Sequence, residues 1–388
     1  MTRRQIRGLG AAVLLSAFLT ACGSEDPEGP GPQASTKAAV LLSAFLTACG
    51  SEDPEGPGPQ ASTTTRSAPA AAFGEPETVA DGLDAPWSIA FHGDTPLVSE
   101  RDSARILELD AGGNSREVGV VDGVSPRGEG GLLGIAVREN RLYAYFTANG
   151  ENRIERFDII GAPGEFALGP AETILDGLAS ANYHNGGRIA FGPDGMLYVT
   201  VGDAGSRDRA QDLDSMSGKI LRMTPDGDVP QDNPFPNSFV YSYGHRNSQG
   251  IAWTEDGTMY ASEFGQDTWD ELNRIEAGGN YGWPEVEGIA GEDGFIDPLQ
   301  QWSPDDASPS GIAIHDGSIY IANLRGERLR IVPLADPATA DEQFVDVYGR
   351  LRDVVVAPDG SLWILTNNTD GRGDPNPGDD RILRVPLR

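Results

Sequence analysis

The sequence predicts an all-β fold, a six-bladed β-propeller of four-stranded antiparallel blades over residues 73–388. A short pattern returns six times: a dipeptide such as Ile-Ala opens an apolar run, a turn follows, and a second run carries an aromatic or aliphatic residue eight or nine positions after the start. Successive copies lie 42 to 62 residues apart, a spacing typical of propeller blades. The 50 glycines and 28 prolines suit a fold with many turns.

The six copies define the blades in chain order. In the third copy, two apolar runs flank Pro193-Asp194-Gly195, a strong hairpin signal, and an Asp-Gly pair recurs in the last three copies. Each copy is therefore expected to form a hairpin. The openings are Ile89-Ala90, Ile135-Ala136, Ile189-Ala190, Ile251-Ala252, Ile312-Ala313 and Val354-Val355, and the matching second-strand residues are Val98, Tyr143, Tyr198, Tyr260, Tyr320 and Trp363.

The hairpins sort residues onto two faces of the propeller, because the start of the first strand and the end of the second lie at the same end. His92 and His315 fall at turns, whereas His184 and His245 fall on the opposite face. Several arginines from different blades share that opposite face and favour an anionic ligand with several carboxylates. The alternative is that each arginine pairs with an acid of its own loop. The other residues sorted to this face are Arg127, Glu129, Arg188, Asp203, Arg246, Asn247, Gln249, Glu263, Asp270, Glu271, Arg325, Arg350 and Arg352.

The net charge and the N-terminal segment constrain which partners the protein has and where it is located. With 59 acidic and 29 basic residues the net charge is −30, which argues against a nucleic-acid partner. Residues 1–22 resemble a bacterial lipoprotein signal, with three arginines, an apolar run too short to span a membrane, and Cys22. Residues 23–72 are predicted to be a disordered tether. Within it, residues 38–63 repeat the sequence of residues 11–36, so that Cys49 corresponds to Cys22. We therefore expect an extracytoplasmic protein, secreted or lipid-anchored at Cys22 or Cys49.

Ten motifs, in order along residues 84–388, resemble those of the soluble quinoprotein sugar dehydrogenases, the glucose/sorbosone dehydrogenase family. No single motif is decisive, but their order on the blades is specific. They are Ala85-Pro86-Trp87, Ser99-Glu100-Arg101, Gly128–Leu133, Tyr183–Arg188, Gly202-Asp203, Asp232-Asn233-Pro234, Gly244–Gly250, Asp270–Asn273, Asn280–Pro284 and Arg350–Asp353.

The resemblance implies roles for the sorted residues around pyrroloquinoline quinone (PQQ). His184 would be the catalytic base, and Asp203 would orient it or bind sugar hydroxyls; a loop-capping histidine and a turn-forming aspartate are the alternatives. The catalytic set is completed by Arg246, which would lie with Asn247 at the quinone carbonyl. The resemblance further implies that Arg325, Arg350 and Arg352 bind cofactor carboxylates, and that Glu129, Asp203 and Gln249 bind substrate.

The resemblance also implies calcium. One ion would use the carbonyls of Gly265 and Gln266, and another Glu271 and the carbonyl of Tyr281, although Glu271 could instead make an ordinary loop contact. Three features depart from the family pattern where sugar selectivity is set: Glu129 replaces a glutamine, Phe264 replaces a polar residue, and residues 285–295 lack a tyrosine.

The function implied is PQQ- and calcium-dependent oxidation of an aldose at C1 to the lactone, with a histidine base, hydride transfer to the quinone and electrons passed to an external acceptor. One rival is a calcium-dependent lactonase-type propeller hydrolase with an axial metal held by Glu129, Asp203, Asn247 and Glu263, which the arginine excess disfavours. The other is a non-catalytic carbohydrate-binding propeller, which would leave His184 without a task.

Overall fold

The computed structural model describes residues 73–387, so the segments predicted as signal and tether lie outside the described residues. Within that range the chain forms six antiparallel sheets and no α-helix; a single 3-10 turn occupies Arg207–Ala210. The predicted six-bladed propeller is confirmed. No helix of the described part of the chain is long and apolar enough to cross a membrane.

The first three blades follow one another in sequence. Blade 1 contains β2 (Pro86–His92), β3 (Thr95–Glu100), β4 (Arg105–Leu109) and β5 (Ser115–Val120). Blade 2 contains β6 (Leu132–Arg138), β7 (Arg141–Thr147), β8 (Asn152–Ile160) and β10 (Glu172–Leu178), with the short β9 (Ala167–Leu168) added beside β8. Blade 3 contains β11 (Ile189–Phe191), β12 (Leu197–Val201), β13 (Lys219–Met223) and β14 (Val240–Tyr243).

The last three blades close the ring. Blade 4 contains β15 (Ser248–Trp253), β16 (Met259–Glu263), β17 (Asp270–Ile275) and β18 (Gln300–Trp302). Blade 5 contains β19 (Pro309–His315), β20 (Ser318–Asn323), β21 (Arg328–Pro333) and β22 (Asp341–Gln343). Blade 6 contains β23 (Leu351–Val356), β24 (Leu362–Thr366) and β25 (Ile382–Val385), and the N-terminal β1 (Glu77–Ala80) pairs with β25 to complete it.

The strand register explains the repeated sequence pattern. Ala136 pairs with Tyr143 and Ala313 with Tyr320, so the second residue of the dipeptide faces the aromatic residue across the hairpin. His92 and His315 sit at hairpin turns, as predicted. The first strands of neighbouring blades adjoin around the ring, which brings the loops before them together at one end.

The apolar core is divided among the blade junctions. Six buried clusters each join residues of adjacent blades within residues 73–387, and one of them also includes Trp87 of a third blade. Tyr143 of blade 2, for example, packs with Leu197 and Leu221 of blade 3. Because each blade buries both faces against its neighbours, the ring is held by side-chain packing, and the loops at its ends are left to form a site.

Candidate active site

A cavity of about 200 Å³ opens at the end of the ring opposite the hairpin turns. The structure brings together here Glu129, Gln249, Arg325, Arg350 and Arg352, which the sequence had placed on one face. Five of the lining residues are arginines and one is a glutamate. The lining consists of Trp87, Arg101, Glu129, Gln249, Phe264, Ser308, Leu324, Arg325, Arg350, Arg352 and Arg372.

Pairing with an acid of the same loop accounts for Arg101, which donates to the adjacent Asp102 at 2.7 and 2.8 Å, but not for the inner arginines Arg350 and Arg352. Asp353 accepts a hydrogen bond from Arg188 at 2.9 Å rather than from its neighbour Arg352. Arg352 instead donates to Gln249 Oε1 at 2.8 Å and to Asn367 Oδ1 at 2.9 Å. At the rim, the exposed Arg325 does pair with an acid near in space, Asp305, at 2.7 Å.

Burial and like charge weaken the hold of the inner arginines on their protons. Burial lowers the pKa of Arg352 to about 9; Asp370 opposes the shift, and Arg350 and two further arginines add to it. Burial also lowers the pKa of Arg350, again against Asp370, whose Oδ2 lies 3.5 Å from Arg350 Nη2. A ligand carrying several negative charges would favour the charged form of both arginines and so oppose these shifts.

His184 lies in the connection between blades 2 and 3, beside a second opening of about 290 Å³ that Tyr183, Asp203 and Arg246 also line. Its Nδ1 is 2.8 Å from Asp203 Oδ1, and its side chain is 14% exposed. An ionised carboxylate only accepts hydrogen bonds, so Nδ1 carries the proton. Nε2 has no hydrogen-bond partner among residues 73–387 and is left as a proton acceptor.

Asp203 is fully buried and accepts three hydrogen bonds. Besides His184, the donors are the amide of Gly205 at 2.7 Å and the indole Nε1 of Trp283 at 2.9 Å. Burial acts to raise the pKa of Asp203, but these donors and the charge of His184 outweigh it and hold the pKa below its ordinary value. Asp203 therefore stays ionised and orients His184.

Arg246 and Asn247 present donors that no group in the described chain accepts. Arg246 Nη1 donates to the carbonyl of Phe264 at 3.1 Å, but its buried Nε has no partner among the described residues. Asn247 Oδ1 accepts from the amide of Gly186 at 3.0 Å, while its Nδ2 is buried and unpaired within 73–387. Arg350 Nε is in the same state. Unpaired buried donors are costly, so this set fits a ligand rich in carboxylate and carbonyl oxygens.

The segment around Gly265 and Gln266 turns its amides inward onto carboxylates. The Gly265 amide donates to Asp270 Oδ1 at 2.8 Å, and the Gln266 amide donates to Glu287 Oε1 at 2.7 Å. The carbonyls of residues 265 and 266 accept no hydrogen bond from the described residues. Free carbonyl oxygens of this kind fit a hard cation such as calcium.

The Glu271 region is more closed. Glu271 accepts from the Gly288 amide at 2.7 Å and from Asn273 Nδ2 at 2.9 Å, so it does make the loop contacts named as its alternative role. Burial, with Glu263 second, raises the pKa of Glu271 to about 8. Glu271 and Tyr281 line a void of about 10 Å³. No group of three or more His, Cys, Asp or Glu in the described part of the chain is arranged to hold a metal.

The axial metal set of the hydrolase rival is likewise not assembled. Glu129 accepts a hydrogen bond from the backbone N–H of His184, and Asp203 accepts one from the His184 ring. Glu263 binds the fully buried His245 at 2.7 Å. His245 thus belongs to the core and does not line either opening.

Four neighbours of the site had been given no role from the sequence. Arg101 and Arg372 line the cavity, Trp87 lies beneath the guanidinium of Arg188 at 4.3 Å, and Trp283 holds Asp203. Arg101, Trp87 and Trp283 stand within the recognised motifs, which was the available signal. Arg372 comes from the connection between β24 and β25, which those motifs do not cover.

Comparisons with known proteins agree with this geometry. The glucose/sorbosone dehydrogenase family model matches residues 83–383. Aldose sugar dehydrogenase YliI of Escherichia coli is 29% identical over 342 residues, covering 76% of this chain and 90% of that protein. Quinoprotein glucose dehydrogenase B of Acinetobacter calcoaceticus is 30% identical over 260 residues, 56% of this chain and 54% of that protein. The PQQ-bound aldose sugar dehydrogenase of Streptomyces coelicolor superposes with a TM-score of 0.79 at 51% identity, covering 83% of this chain and all of that one.

Proposed function

Because the chain belongs to the glucose/sorbosone dehydrogenase family, we propose that it oxidises an aldose at C1 to the lactone, with PQQ and calcium as cofactors. The observation that carries the proposal is the His184–Asp203 pair, which lies beside a cavity lined by five arginines. An imidazole with a free Nε2 suits proton abstraction, and the arginines suit a tricarboxylate.

Residues of this chain would hold the cofactor by charge and by their unpaired donors. Arg325, Arg350 and Arg352 would bind its carboxylates, and Arg246 and Asn247 its carbonyl oxygens. Calcium would use the free carbonyls of residues 265 and 266, and Glu271 with the Tyr281 carbonyl would take a second ion. When bound, PQQ supplies an electrophilic quinone that accepts a hydride.

His184 Nε2 takes the proton of the C1 hydroxyl. As that proton leaves, electron density gathers on the sugar oxygen, the C1–O bond gains double-bond character, and the C1 hydrogen departs with its electron pair. Asp203 stabilises the imidazolium that forms at His184. Arg246, half-buried at the edge of the same opening, supplies fixed positive charge where negative charge develops.

The wider setting follows the same proposal. Electrons would pass to an external acceptor, since the reduced cofactor must be reoxidised before another turnover. The protein would act outside the cytoplasm, secreted or held at the membrane by lipid on Cys22 or Cys49.

Reconstitution of the full chain with PQQ and Ca²⁺ tests the function. We expect dye reduction with a panel of aldoses, lost in His184→Ala and retained in the matched variant His315→Ala, which alters a histidine at a hairpin turn. Absence of PQQ binding at micromolar concentration would refute the proposal. Lactone hydrolysis with calcium alone would instead support the hydrolase.

A further inference from the structure

Both carboxylate oxygens of Glu129 are engaged by the protein. Oε2 accepts the backbone N–H of His184 at 2.9 Å, and Oε1 accepts Arg372 Nη1 at 3.0 Å. The Glu129 side chain is 17% exposed. The two bonds fix the orientation of the Glu129 carboxylate toward the His184 backbone and Arg372.

The backbone that Glu129 grips is unusual. His184 has φ of 57°, in the left-handed region that a histidine seldom occupies. Such a conformation persists only where its surroundings fix it. Here the His184 N–H is held by Glu129, its carbonyl accepts from the Ala204 amide at 3.1 Å, and its ring is held by Asp203.

The two loops involved also pack backbone against backbone. The Glu129 amide donates to the carbonyl of Asn182 at 2.8 Å, and a Cβ on Gly128 would lie 2.1 Å from the same oxygen. These backbone contacts fix the distance between the segment that carries Glu129 and the loop that carries His184. At that distance the Glu129 carboxylate reaches the His184 amide.

Arg372 explains why this position is an acid. The guanidinium comes from blade 6 and only donates, so a carboxylate can accept from both Arg372 and His184. A glutamine could accept from His184 only by turning its NH₂ group toward the guanidinium, which places donor against donor. The pair thus ties blade 6 to the loops before blades 2 and 3.

We propose that Glu129 is a positioning residue that, with Arg372 as its counter-ion, fixes the backbone of His184 and sets the rate of proton abstraction rather than the choice of sugar. The inference rests on the proposed dehydrogenase function. It replaces the substrate contact that the family resemblance implied for Glu129.

Steady-state kinetics of Glu129→Gln, Arg372→Ala and the double variant test the kinetic part. We expect Glu129→Gln to lower kcat roughly tenfold by the same factor for every aldose, with KM unchanged, because the base is misplaced. Removal of Arg372 relieves the donor–donor conflict, so the double variant should recover most of that loss. The exposed pair Arg274 and Glu276, 2.9 Å apart, supplies the control variants Arg274→Ala and Glu276→Gln, which should leave kcat unchanged. A change in KM or sugar preference with kcat intact, or additive losses in the double variant, would overturn the proposal.

Amide hydrogen exchange tests the contact without activity. In Glu129→Ala the His184 amide should exchange roughly tenfold faster or more, while the Ala190 amide, which lies opposite Tyr198 at a hydrogen-bonded position of the neighbouring strand, should keep its protection. Unchanged exchange at His184 would overturn the inference. If the wild-type protein reduces no dye, the proposed function fails, whereas the exchange result still reports on the contact itself.

Discussion

Replacing Trp283 by Phe should raise the pKa of Asp203, so that the carboxylate bonded to His184 becomes protonated at a higher pH. The substitution removes one of the three donors to the buried Asp203 carboxylate and leaves the His184 and Gly205 donors in place. It also shortens the aromatic surface on which Arg246 lies, 5.5 Å from the ring centroid. Asp203 has no exposed surface in the wild type, so the variant leaves its Oδ2 without a protein donor.

The magnitude follows from the lost hydrogen bond. A bond to a charged group contributes about 1.5 to 3 kcal/mol. Because about 1.4 kcal/mol corresponds to one pKa unit, the pKa of Asp203 should rise by roughly one to two units in the variant. The pKa of Asp203 is held below 3.8 in the wild type, so its contribution to stability is present above pH 3.8 and is lost as pH falls through the folded pKa.

The stability gap between wild type and Trp283→Phe should therefore be largest at neutral pH and shrink below about pH 4. Urea unfolding measured across pH 3.5–8 checks this difference in stability. Trp253→Phe is the matched control, because that indole packs on Tyr198 at 5.0 Å near the hairpin turns and should show a gap independent of pH. The same pH-independent gap in Trp283→Phe would refute the reasoning.

Two further predictions concern Arg352 and Glu271, the charged groups proposed to bind PQQ and calcium. Arg352→Met should lose most of the thermal shift that PQQ gives the wild type, and it should also destabilise the ligand-free protein, because the buried acceptors Gln249 Oε1 and Asn367 Oδ1 lose their donor; an undiminished shift in differential scanning fluorimetry would contradict this. Burial raises the pKa of Glu271 to about 8, so its contribution to stability is present below pH 4.5 and is lost as pH rises to 8. Calcium should stabilise the protein more at pH 8 than at pH 5 in urea unfolding, and Glu271→Gln should remove that difference.

The fold could be predicted because each blade repeats a local signal. Alternation of apolar residues around an Asp-Gly turn depends on neighbours in sequence, and the register of Ala136 with Tyr143 follows from it. The closure of blade 6 by β1 could not be predicted in the same way. Its partner strand begins 302 residues after the last residue of β1, at Ile382 against Ala80, and its own four residues carry no distinctive pattern.

The site was predictable where a residue's place in a hairpin fixes its face. That rule separated His184 from His92 and brought Arg350 and Arg352 to one end. It could not identify contacts between loops of different blades. The bond from Trp283 to Asp203 joins positions 80 residues apart, and Arg372 meets Glu129 across 243 residues. Loop conformation, not strand order, decides such contacts.

The charge distribution around the cavity argues for a polyanionic ligand more strongly than any one arginine does. The chain has many more acidic than basic residues and a net charge of −30. Even so, Arg350 and Arg352 share one carboxylate, Asp370, at 3.5 and 3.8 Å. Arg352 is further fixed by neutral acceptors and by the ring of Trp87, 5.7 Å away. Neutral acceptors orient a guanidinium without cancelling its charge, so one carboxylate, Asp370, balances the two inner arginines only in part. A tricarboxylate would supply the missing charge, and its binding should then account for a large share of the stability of the loaded protein.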